Sequence, residues 1–93
     1  MKPDLYYKTY SEAIAAALNS MESRGYIVNP DESFTQIGVL PHRPKTGATT
    51  TVKLPLYMKG DSEYSKVLSY LQIQVYNRGN DSAKPFELNF YKS

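Results

Sequence analysis

Two alternating runs in the last third of the chain constrain its fold more than any other feature. Leu71, Ile73 and Val75 fall on one side of the first run, with Gln72, Gln74 and Tyr76 on the other. In the second run Phe86, Leu88 and Phe90 oppose Glu87, Asn89 and Tyr91. Strand side chains alternate with a period of two, so each run writes one apolar and one polar face. The segment Asn77–Pro85 between them is full of turn formers. The pattern predicts an antiparallel hairpin with its apolar side in the core.

A helix is predicted from about Tyr10 to Arg24. Thr9 stands as N-cap with Glu12 three residues on, the capping-box spacing. Tyr10, Ile14, Ala17, Leu18 and Met21 make one stripe, and alanine, the strongest helix former, fills much of the rest. Arg24 suits the negative end of the helix dipole, and Gly25 supplies the left-handed residue that stops it. Tyr26 is placed to pack back onto Met21.

Tyr26–Val28 reads as a short strand and Asn29–Glu32 as a turn. Ser33–Leu40 is a second strand candidate with blurred alternation. Pro41–Gly47 is a loop, because two prolines and a glycine break any ladder. In Thr49–Met58, Thr50, Val52, Leu54, Leu56 and Met58 alternate against Thr51, Lys53, Pro55 and Tyr57. Pro55 lacks a ladder donor, which points to an edge or a bulge. Residues 62–71 fit both periods. The strand reading starts near Val67, and a turn of helix near Glu63 is the alternative. The expected fold is α+β, one N-terminal helix packed on an antiparallel sheet of four to five strands, in a single domain over residues 1–93.

Composition narrows function mainly by exclusion. The chain has no cysteine, so thiol catalysis, thiolate metal sites and a disulfide scaffold are ruled out. Its one histidine, His42, sits in the proline-rich loop and reads as a solvated side chain. Asp31-Glu32 reads as the end of a turn rather than an acid–base pair. No spacing suits a metal, and neither a cofactor nor catalytic residues are expected. Lys45-Thr46-Gly47 lacks the flanking glycines of a phosphate loop. The expectation is a protein that is not an enzyme. The N-terminus shows no apolar stretch of a secretory signal, and no run approaches the ~20 residues of a membrane span.

Two binding readings stay open. His42, Arg43, Lys45, Lys53 and Arg78 form a basic rim beside Tyr76 and Tyr57 if their loops share one end of the sheet. Cations beside stacking aromatics suit single-stranded nucleic acid, and single-stranded or duplex nucleic-acid binding is the reading they carry. The alternative is scattered solubilising charge, since the formal net charge is only +2. The outward set Gln72, Gln74, Tyr76, Glu87, Asn89 and Tyr91 is the candidate protein-interaction face. Nine tyrosines are many for 93 residues. They suit either sheet rims or an interface, because tyrosine joins large area to a polar tip. The partner on this face could be another protein or a second copy of the chain, as a homodimer.

The segments YKTYSEAIAAAL, RGY, FTQIGVLPHRPKTG, LQIQVYNRG and FELNFY, from about Tyr6 to Tyr91, resemble a group of small uncharacterised proteins of tailed bacteriophages. These motifs are structural: a cap, a stopped helix, a loop and a closing hairpin. The resemblance implies a context, the bacterial host cytoplasm or the virion, and no site residues. The functional expectation is an accessory protein that binds a host or phage protein. Nucleic-acid binding and a minor virion role are the alternatives.

Overall fold

The computed structural model describes residues 5–29, 44–79 and 83–93. They form β1 (Tyr6–Tyr7), α1 (Tyr10–Ser23), β2 (Tyr26–Ile27), β3 (Thr49–Met58), β4 (Ser69–Asn77) and β5 (Phe86–Lys92). The strands make one antiparallel sheet in the order β1-β5-β4-β3-β2. The α+β expectation holds, with five strands under one helix. The expected strand Ser33–Leu40 lies outside the described residues.

The helix starts and stops where its local chemistry dictates. The Thr9 hydroxyl accepts from the Glu12 amide at 3.1 Å, satisfying one orphan donor of the first turn. Arg24 is the C-cap, and Gly25 follows with φ 91°, a conformation that costs glycine little and other residues more.

The strand order explains where the helix lies. β1 and β2 flank α1 in sequence yet occupy opposite edges of the sheet, so α1 must cross the whole sheet. Fourteen residues at ~1.5 Å rise span ~21 Å, and five strands at ~4.8 Å spacing are ~19 Å wide. Helix length and sheet width therefore match. Ala13 and Ala17 are fully buried, and small side chains there let the helix approach the sheet closely. Ile14 and Met21 join Val52, Leu54, Leu56, Leu71, Ile73, Val75, Phe86 and Leu88 in one core. Phe90 packs half-buried against it. The apolar faces expected of the terminal hairpin are the faces found.

Asn77 closes one end of the sheet. Its main chain accepts from Gly47 at 2.8 Å and donates to Ala48 at 3.1 Å. Its side-chain amide donates to the Pro44 carbonyl and accepts from the Gly79 amide, both at 2.9 Å. The residue is 6% exposed. This side chain ties the turn before β3 to the turn after β4.

The other end departs from the sequence reading in three ways. β4 begins at Ser69, not Val67, and residues 62–68 are neither helix nor strand. The cause is Asp61, whose carboxylate accepts from the Glu63 and Ser65 amides and the Ser65 hydroxyl. Side chains that capture nearby amides offer the backbone an alternative to a ladder. Second, Tyr57 is buried rather than exposed on the polar face. Tyr64 sits at φ 52° and lays its ring against Tyr57, edge-on at 5.3 Å. Third, Met58 is 60% exposed although it continues the inward register of Leu56. It lies at the end of its strand, past the last core residue of β3.

Pro55 lies in β3, between β4 and β2 in the sheet order, and among the described residues no strand residue pairs with it on the β2 side. The Ala48 carbonyl faces β4, so alternation turns the Pro55 nitrogen toward the β2 side. There β2 pairs only with Tyr57 and Met58.

Candidate functional site

The helix covers one face of the sheet. The opposite face can be built row by row from the strand registers. Tyr76 stands between Glu87 and Thr49, and Tyr6 of β1 stands beyond Glu87. Gln74 stands between Asn89 and Thr51 in the next row, and Gln72 between Tyr91 and Lys53 in the one after. All six residues of the expected protein-interaction face thus form one contiguous block on two paired strands. β3 extends it with two threonines and Lys53. Tyr70 pairs with Pro55 below the block.

This face is rich in exposed aromatic area. Tyr70, Tyr76 and Tyr91 are 42%, 38% and 51% exposed. Glutamine, asparagine and threonine fill the places between them, so the surface is wettable yet almost uncharged. That combination is typical of surfaces that alternate between water and a protein partner. Beyond Pro55 the face is closed by Tyr64 over Tyr57, a boundary the sequence alternation did not show.

Two cations already occupy ring faces on this side of the sheet. The Lys53 ammonium lies 5.1 Å from the Tyr70 centroid. The Arg78 guanidinium lies 3.8 Å from the Tyr6 centroid and donates to the Lys84 carbonyl at 2.9 Å. Cation–π contacts of this kind are worth about 0.5–1 kcal/mol at exposed sites. They hold both rings in place, and they cover surfaces on which a nucleobase would stack.

The basic residues fall into two groups. Asn77 links the turn carrying exposed Lys45 to the β4 end carrying Arg78, so these two share the Tyr76 end of the sheet. Lys53 belongs to the middle of the face. Tyr57 is at the opposite end, so the expected rim beside both Tyr76 and Tyr57 does not form. His42 and Arg43 lie outside the described residues.

Among the described residues no three His, Cys, Asp or Glu side chains cluster to hold a metal. No helix among them is long and apolar enough to cross a membrane. A groove of about 230 Å³ runs along α1, lined by Tyr10, Ser11, Ile14, Ala15 and Leu18. Its tyrosine hydroxyl is buried without a hydrogen-bond partner among the described residues, and burial pushes the Tyr10 pKa up. A phenol held protonated beside aliphatic side chains is a poor base, and no acid–base pair adjoins it in that lining.

The sequence reading missed Tyr6 as a member of the face. Two strand-forming tyrosines before the helix cap were the available signal, too short to show a period. A scan of protein-family models, a search of curated proteins and a search of solved structures each found no match for this chain.

Proposed function

We propose that this chain is a non-enzymatic accessory protein that docks a protein partner on the open face of its sheet. The carrying observation is the block of Gln72, Gln74, Tyr76, Glu87, Asn89 and Tyr91 on paired strands, with three exposed tyrosines on or beside it. Tyrosine contributes large area at low entropic cost and is enriched at the centres of protein interfaces. The phage resemblance of the sequence supports a partner from the phage or its bacterial host. Affinity capture with the full chain tests this. A specific partner should be retained by wild type, lost when Tyr76 and Tyr91 become alanine, and retained when Lys45 becomes alanine. Capture indifferent to both tyrosines refutes the assignment of the face. Mass spectrometry of purified particles separates a virion partner from a host one.

Nucleic-acid binding is the second reading, favoured by Lys45 and Arg78 sharing one end of the sheet. It ranks lower because Tyr6 and Tyr70 already carry cations on their rings. It requires salt-sensitive retardation of an oligonucleotide, with a shallower log–log salt slope in Lys45→Ala. Absence of retardation at low salt ends it.

A further inference from the structure

The charges on the open face occupy complementary places. Take Gln74 as the centre of the block. Glu87 is one strand over and one row toward the Asn77 end, and Lys53 is one strand the other way and one row toward Pro55. The two are therefore related by inversion through Gln74. Glu87 has no ion pair among the described residues, and the contact made by Lys53 is with the Tyr70 ring. A face with one acid and one base at opposite corners can complement itself.

We propose that a second copy of this chain occupies the open face, packed sheet to sheet about a two-fold axis through Gln74. The proposal rests on the docking-face reading above and names the occupant. Strand spacing of ~4.8 Å and row spacing of ~6.6 Å fix the geometry. An axis lying in the plane of the face and perpendicular to the Glu87–Lys53 diagonal places Glu87 of each copy over Lys53 of the other. The strands of the two copies then cross at roughly 70°, in the orthogonal class of sheet packing. Tyr91 falls near the axis and meets its own copy, and Tyr76 faces Thr51 of the other copy. Two ion pairs form per dimer by symmetry, as an isologous interface requires. The footprint, about 20 by 25 Å from β1 to β3, lies at the small end of specific interfaces.

The test is sedimentation equilibrium of the full chain over roughly 10–500 µM, a range in which even a weak dimer is populated. Wild type should be a dimer. Glu87→Lys and Lys53→Glu should each weaken association at least ~10-fold, because each sets two like-charge contacts in the homodimer. An equimolar mixture of the two variants should re-associate, because every contact in the mixed dimer is again opposite in sign. A mixture that stays monomeric overturns the proposal, as do single variants that dimerise like wild type. A photo-crosslinker at Gln74 separates this failure from that of the docking face. Monomeric wild type that crosslinks from Gln74 to a different protein overturns self-association alone. Dimeric wild type that crosslinks from Ala15 on the helix, and never from Gln74, overturns both.

Discussion

Replacing Asn77 by alanine should cost far more than a turn residue ordinarily does. The side chain makes two hydrogen bonds of 2.9 Å, one to the Pro44 carbonyl and one from the Gly79 amide. Asn77, Pro44 and Gly79 are all buried. Each bond is worth about 1 kcal/mol net, and a buried group left without a partner costs about 1–3 kcal/mol. Water entering the space left by the amide recovers part of this, so the expected loss is about 2–4 kcal/mol. At ~4–8 °C per kcal/mol for a domain of this size, the Tm should fall by roughly 10–25 °C. Urea unfolding followed by circular dichroism gives the free energy directly. The midpoint should move and the slope should not, since the surface exposed on unfolding is nearly unchanged. Asn77→Asp sharpens the argument. It keeps the acceptor for Gly79, removes the donor to Pro44 and sets a carboxylate against that carbonyl, so it should be at least as damaging as alanine. A loss below about 0.5 kcal/mol for Asn77→Ala, typical of an exposed turn, would refute the claim that this side chain closes the sheet end.

Other consequences can be checked in the same way. Tyr10→Phe removes a buried hydroxyl that has no hydrogen-bond partner among the described residues, so the variant should be as stable as wild type or up to about 1 kcal/mol more stable. Because burial raises the Tyr10 pKa, the folded state holds that proton longer than the unfolded chain does. Its contribution is complete below the ordinary tyrosine range and is lost as pH rises through the folded pKa, so Tyr10→Phe should lessen the alkaline fall in stability. An identical alkaline profile would contradict this. Ala17→Leu should push the helix off the sheet and cost about 1–3 kcal/mol or more, because Ala17 is fully buried there. Chemical denaturation reports the loss. Asp61→Ala should release the 61–68 loop at a cost of about 1–2 kcal/mol and expose Tyr57, which proton NMR would show as loss of the ring-current shift from Tyr64. Unchanged Tyr57 resonances would show that the ring contact persists without the cap.

Where the chain's signals were local and periodic, the sequence was readable. Alternation from Leu71 to Val75 and from Phe86 to Phe90 named the core sides, because one buried face forces period two. Thr9, Glu12 and Gly25 bounded the helix, because caps act within one turn of the residue that makes them. The misreadings lie where a side chain acts on the backbone or across sequence. Asp61 captures two amides, and β4 starts at Ser69 although the period-two pattern of the sequence extends back to Val67. Tyr64 covers Tyr57 only because that loop folds back over the sheet. Asn77 resembled an ordinary turn former, yet it is the buried link between two turns, and nothing in its sequence neighbourhood names Pro44. The six residues of the candidate face were legible as a set. Their extension by Tyr6 and Lys53, and their boundary at Tyr64, depended on strand order.

A photo-crosslinking amino acid placed singly at Gln74, and as a control at Ala15 on the exposed side of α1, tests the central claim most directly. Expressed in a bacterial host, the Gln74 variant should form a discrete protein adduct that disappears when Tyr76 and Tyr91 are also replaced by alanine, and the Ala15 variant should form none. Adducts from Ala15 with none from Gln74 would contradict the account, because the partner would then meet the helix and the open sheet face would be no more than solvated surface.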